Sequence, residues 1–304
     1  MMKRILIFLS PIIFLALIGN GCKPSTNSVE NAGGVMVSIG PQEYFVRQLL
    51  PERIPVHLLV PAGASPHAFE PGPADMVKLE NSRAFLRIGH IGFELALMDK
   101  ISSLSKNLPV FDVSEGVALL QGHHHEEGEH NHHEETIEGT DPHIWMSPSR
   151  ARIIAKNTRD ALITVFPEIA DSIEMRHVLL QERLIALDSV VRQILHATEN
   201  RTFAIFHPSL SYFADDYGLV QLAIEEDGKD PSPAHVREVV DQIKAAGLKT
   251  ILVQREFNRD QANAIAQGSD IRVVIIDPLS PDWYEGILQT AKAIGMPETL
   301  AVDE

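Results

Sequence analysis

From Glu168 to about Ala197, apolar side chains recur at close to a 3.6-residue period, through Ile169, Ile173, Leu179, Leu180, Leu184, Leu187, Val191 and Leu195. No strand or turn signal breaks this run, so it predicts one long helix. A shorter helical pattern precedes it, from Pro148 to Phe166, and stops where Pro167 interrupts. On both sides of this helical stretch the pattern changes to short apolar runs alternating with helical ones. The long helix therefore joins two lobes.

Before it, strands are predicted at Val35 to Ile39, Val56 to Val60, Ala84 to Ile88 and Pro109 to Val113. Helices are predicted at Gln42 to Leu50, entered through Pro41, and at Pro73 to Leu79. After it, strands fall at Thr202 to Phe206, Val220 to Ala223, Thr250 to Gln254 and Arg272 to Ile276. Helices fall at Leu210 to Tyr217, Ala234 to Ala246, Asp260 to Gln267 and Trp283 to Ile294, with Gly247 as a stop behind the second of these. Such alternation signals α/β architecture. The expected organisation is an N-terminal α/β lobe over 35–166, a linking helix over 167–198 and a similar C-terminal α/β lobe over 199–304.

The chain begins with Lys3 and Arg4 and then a largely apolar run from Ile5 to Ile18, too short to span a bilayer comfortably but of signal-peptide length. It ends at Cys22, the only cysteine, which excludes an internal disulfide. A cysteine directly behind a signal core resembles a bacterial lipobox, although Gly19 stands where such boxes usually carry Leu. The resemblance implies that residues 1–22 are an export signal and that Cys22 is lipidated. Residues 23–34, KPSTNSVENAGG, are small and polar and read as a flexible tether. The remainder, about 270 residues, has room for two ordinary domains. With 44% hydrophobic residues the chain can bury a core, and its formal charge of −15 argues against nucleic acid and suits a protein that handles cations.

Three single histidines stand in loops or at the carboxyl ends of predicted strands, each close to proline: His67 in SPHAFEP, His143 in DPHIWMSP and His207 in FHPS. Ligands of open α/β sheets bind beyond the carboxyl ends of the strands, and proline stiffens a loop so that holding an imidazole costs less entropy. One loop histidine ordinarily bonds water or backbone; three in like positions argue for a shared duty. Three imidazoles and a carboxylate make a tetrahedral set that zinc accepts readily. The carboxylate in the matching position is Asp277, after the last strand and before Pro278. A further tract, GHHHEEGEHNHHEE within 121–135, carries His123, His124, His125, His130, His132 and His133 and is too polar for a core. It reads as a solvated loop that binds cations weakly and interchangeably.

These segments, together with FHPSLSYFADDYGL and IDPL, resemble in the same order the metal-binding receptors of bacterial ABC importers, specifically the zinc branch. The likeness covers nearly all of the chain beyond the tether. It implies two α/β lobes joined by a backbone helix, with the metal in the cleft between them. It also implies His67, His143, His207 and Asp277 as ligands, Zn2+ as transported cargo and a membrane permease as partner. A monomer is expected, exported and held at the membrane by its lipid, facing the periplasm or the exterior. His207 speaks for zinc, because the manganese branch typically has glutamate there and nitrogen donors disfavour manganese. Gln254 departs from relatives that place Glu, so an acidic role there would pass to Glu256. His90 is read as a loop residue outside the ligand set. A manganese or iron receptor, a zinc hydrolase and an adhesin are the competing functions. The chain has neither the His-Glu-x-x-His helix motif of a zinc hydrolase nor a Gly-x-Ser-x-Gly turn around Ser209.

Overall fold

The computed structural model describes residues 33–104, 107–122, 139–225, 232–257, 259–266 and 271–296. The expected export signal, Cys22, most of the expected tether and the six clustered histidines lie outside the described residues.

Two four-stranded sheets, both wholly parallel, form the centres of two lobes. The first contains β1 (Val35–Val37), β2 (Val56–Leu58), β3 (Ala84–Arg87) and β4 (Val110–Asp112) in the order β2-β1-β3-β4. Its helices are α1 (Gly40–Leu49), α2 (Pro73–Glu80) and α3 (Gly92–Leu104), followed by α4 (Pro148–Val165). The second contains β5 (Thr202–Ile205), β6 (Val220–Ala223), β7 (Thr250–Gln254) and β8 (Arg272–Ile276) in the order β6-β5-β7-β8. Helices α6 (Ser211–Tyr217), α7 (Pro233–Ala245), α8 (Arg259–Ala266) and α9 (Trp283–Gly295) accompany it. All three residues of β1 are fully buried, as befits a strand covered on both faces.

The long helix, α5 (Ala170–His196), is 27 residues, or about 40 Å at 1.5 Å per residue. Ile173, His177, Leu180, Leu184, Leu187, Val191 and Leu195 form its buried stripe, which packs on α4, α1 and α9. Leu179 does not belong to it. It is 56% exposed, because it sits next to Leu180 on the helix and successive residues point about 100° apart. The sequence reading passed over α3. Its apolar positions Phe93, Leu97 and Ile101 are buried four residues apart, and its Glu94 carboxylate accepts the N–H groups of Ile88 at 2.9 Å and Gly89 at 2.7 Å.

The lobes do not meet through α5 alone. One continuous apolar cluster runs from Val35 in the first sheet to Ile287 in α9. Trp283 packs at a tilt against Tyr44 and Phe45 of α1, with ring centroids 5.6 and 5.0 Å apart. Its indole N–H donates to the Trp145 carbonyl at 2.7 Å, while the Trp145 indole donates to the Pro278 carbonyl at 2.9 Å. Gly40 is needed at this seam, since a Cβ there would lie 2.2 Å from the Leu279 carbonyl oxygen. Beside it, Ser147 caps α4 by accepting from Arg150 N–H and also donates to Asp216 of α6. Arg150 reaches Asp215 at 2.6 Å and Asp216 at 2.7 Å.

A continuous helix, a shared core and a hydrogen-bonded seam oppose the hinge closure that flexible linkers permit. Small-angle scattering curves recorded with and without zinc should therefore superimpose; a clear compaction on adding metal would show that the lobes open.

Candidate metal centre

The carboxyl edge of the second sheet supplies one polar residue from each strand. His207 follows β5, Glu225 follows β6, Gln254 ends β7 and Asp277 follows β8. From the first lobe come His67, in the loop between β2 and α2, and His143, which opens a short 3-10 turn (Ile144–Met146) ahead of α4. The turn carrying His143 is fixed by the Trp145 bonds already described and by the Tyr212 hydroxyl, which donates to the Asp141 carbonyl at 2.7 Å.

His143 Nε2 lies 3.2 Å from His67 Nε2 and 3.3 Å from His207 Nε2. Two nitrogens bound at 2.0–2.1 Å to one tetrahedral ion are separated by about 3.3 Å, so His143 stands at the spacing of a shared zinc ion from each of the other two rings. Among the described residues, His67, His143 and His207 are the group of three or more potential ligands whose donor atoms all fall within 4.8 Å of one another. His143 and His207 are buried and His67 is exposed.

Behind two of the rings stand carboxylates. Asp141 accepts both the His143 N–H, at 2.8 Å, and the His143 Nδ1 proton, at 2.7 Å. Glu225 accepts from His207 Nδ1. A carboxylate has only lone pairs to offer, so each Nδ1 carries the proton and each Nε2 presents a lone pair to the cleft. Burial opposes ionisation of Asp141, but the His143 imidazole and its hydrogen bonds outweigh that and hold the carboxyl below its ordinary range. Phe257 stacks on the His207 ring at 5.0 Å and 20°, and Trp145 packs edge-on to His143 at 5.2 Å.

Asp277 is not in the three-histidine group. Its carboxylate lies 3.4 Å from the Arg255 guanidinium, which is 67% exposed. Nearby Glu256 is pushed up to about 7 by burial and by the Asp277 charge, with the His143 imidazole pulling the other way. His90 also stays apart, bonded through Nε2 to Ser114 Oγ at 3.1 Å. Sequence reading did not assign Asp141, although it stands in the quoted motif two residues before His143, and it missed Glu225, for which no local signal exists.

Two parallel lobes tied by one long helix, with converging imidazoles where they meet, define a helix-linked binding protein. The chain belongs to the family described as zinc-uptake complex component A, periplasmic, whose pattern matches residues 35–294. It is 27% identical over 282 residues to the zinc-binding lipoprotein AdcA of Streptococcus pneumoniae serotype 4, covering 91% of this chain and 56% of that protein. It thus spans about half the length of the curated relatives it matches. The crystal structure of ZnuA is similar with a TM-score of 0.78 and 30% identity, covering 87% of this chain and 98% of ZnuA. The laminin-binding adhesin Lmb of Streptococcus agalactiae shares the fold, at TM-score 0.74 and 23% identity over 86% of this chain and 100% of that one.

Removal of the ring from water, reinforced by the facing His143 and His207 imidazoles, lowers the His67 pKa to about 3. His207 is lowered as well, chiefly by burial and against the pull of Glu225. These rings are neutral when folded and free to charge when unfolded, so below about pH 6.5 the unfolded chain binds more protons. Metal-free stability should therefore decline as pH falls from about 6.5 toward 3. Water at the exposed edge of His67 screens its share, leaving buried His207 the larger one. Urea unfolding at a series of pH values reads this directly, and His207→Ala should flatten the decline. A midpoint that does not move over that range would contradict the burial of neutral rings.

Proposed function

We propose that this chain is an exported, lipid-anchored receptor that binds zinc between its lobes and delivers it to the permease of an ABC importer. The observation that carries the reading is the convergence of three imidazoles from both lobes, with His143 Nε2 at the spacing of zinc ligands from the Nε2 atoms of His67 and of His207. Family membership and the zinc-binding lipoprotein name of the AdcA relative support the cargo, the anchor and a receptor role in place of catalysis. Imidazole donors favour zinc over manganese, which prefers oxygen.

In this reading His67, His143 and His207 ligate the ion, and Asp277 supplies the fourth ligand by leaving its exposed partner Arg255. Asp141 and Glu225 hold the rings in the binding tautomer. Histidines 123–125, 130, 132 and 133 collect further ions weakly, through many interchangeable arrangements of imidazole and carboxylate.

Titration of the mature protein with zinc should give one tight site and additional weak ones. His143→Ala should weaken the tight site by more than the roughly 100-fold that loss of an outer partner costs. Deleting 122–135 should remove weak sites and spare the tight one; loss of the tight site on that deletion would refute this division. X-ray absorption should show three nitrogens and one oxygen around zinc, with the oxygen scattering altered in Asp277→Ala. An unchanged shell in that variant would assign the fourth position to water. Cys22→Ala should release a soluble, zinc-competent protein, since attachment rests on the acyl chains; protein that stayed with the membrane would place the anchor elsewhere.

A further inference from the structure

We infer that Gln254 is the positioning residue for His207, holding that ligand's main chain by continuing the second sheet one rung beyond its backbone ladder. The inference rests on the zinc-receptor reading above and concerns how one ligand of that site is set.

The pairing of β5 with β7 runs through Ala204 with Ile251 and Ile205 with Leu252, and the Phe206 N–H then donates to the Leu252 carbonyl at 2.8 Å. One residue later the backbones part. The Phe206 carbonyl turns to the other neighbour and accepts from Ile224 N–H at 3.2 Å and Glu225 N–H at 2.8 Å. The main chain of His207 is thus left facing β7 at the point where β7 ends. The Gln254 side chain meets it there. Its Oε1 accepts from His207 N–H at 3.3 Å, and its Nε2 donates to the His207 carbonyl at 2.5 Å and to Ser209 Oγ at 2.7 Å.

A carboxamide is the side-chain copy of a peptide group, with an acceptor on one arm and two N–H donors on the other. All three capacities are used, and the residue is fully buried. Glutamate, of the same length, has no proton to give to the His207 carbonyl and would bring a charge into the interior. Methionine fills the space and makes none of the bonds. Gln254 acts on the ring a second way: its carbonyl accepts the Phe257 N–H at 3.1 Å, and Phe257 is the ring stacked on His207. Glu225 fixes the His207 imidazole at Nδ1; Gln254 fixes the Cα from which that imidazole hangs. Both are needed to aim Nε2 at a point it shares with His143.

The test compares zinc affinity, by competition with a chromophoric chelator, in the wild-type mature chain, Gln254→Met, Gln254→Glu, Ser209→Ala and Val253→Ala. Val253 is a fully buried neighbour on the same strand that touches none of these bonds, so its truncation reports loss of stability alone. Gln254→Met and Gln254→Glu should weaken zinc binding by roughly 10–100-fold, the range for groups that orient a metal-bound histidine. Their zinc X-ray absorption should show a disturbed imidazole shell, with a wider spread of zinc–nitrogen distances. Ser209→Ala should weaken binding less, and Val253→Ala should lower the unfolding midpoint while keeping wild-type affinity. Wild-type affinity and an intact imidazole shell in Gln254→Met would overturn the inference, as would an equal affinity loss in Val253→Ala. Should Gln254→Met fail to fold, Gln254→Glu and Ser209→Ala give the same two readings. A wild-type chain that does not bind zinc would overturn the receptor reading and this inference together.

Discussion

Two imidazole lone pairs, on His143 and His207, face each other across 3.3 Å, and most of the molecule serves to keep them there. Left alone, either ring would turn its protonated nitrogen inward and join the pair by a hydrogen bond. Asp141 and Glu225 prevent this by holding the protons on the far nitrogens. The result is a small volume of concentrated negative potential with no proton of its own between these two rings. A cation would relieve the repulsion, and the carboxylates behind the rings would then act on affinity without touching the ion.

Such an arrangement needs a rigid frame, because His143 belongs to one lobe and His207 to the other. A receptor hinged on flexible strands would have to reassemble the pair at each binding event and lose entropy in doing so. Here the seam is made once, at folding. Trp145, two residues beyond His143, donates to the carbonyl of Pro278, which directly follows Asp277. The same tryptophan accepts through its carbonyl from Trp283, whose ring lies among Tyr44 and Phe45. The position of His143 is thus tied by short covalent and hydrogen-bonded steps to the aromatic core shared by both lobes.

The legible part of this structure was the part that repeats. Strands β6, β7 and β8 coincide with the apolar runs in the sequence because each run is bounded by polar residues and turns. The long helix was visible because its stripe obeys one period. Of the candidate site, the three histidines could be found because each sits beside proline in a loop or at the end of a predicted strand. Glu225 could not be found. Its role exists only because β6 lies beside β5, which places the residue after one strand against the residue after the other. Gln254 was visible as a departure from relatives, but its meaning depends on where the β5 to β7 ladder stops, which no local pattern encodes. Leu179 shows the converse error, since an apolar residue next to a true stripe position matches the pattern by proximity.

The three histidines are not held equally, and the difference bears on release. His143 and His207 are buried, and each has a carboxylate behind its ring. His67 is exposed, and the bond that holds its main chain is a 3.3 Å contact from its N–H to Ser65 Oγ. Its loop begins at Pro61 with Gly63 in a left-handed conformation, φ +81°, and a Cβ there would meet nothing within 4 Å, so the chain stands clear of its neighbours at that point. If the lobes do not open, zinc held in this cleft has to leave by local rearrangement, and the ligand with the least support yields first. Withdrawal of His67 would leave the ion on two fixed imidazoles with an open side toward solvent. That state binds more weakly without any change in the frame. A rigid receptor can then combine tight capture with delivery, because the stiffness is spent on two ligands and the freedom is kept on one.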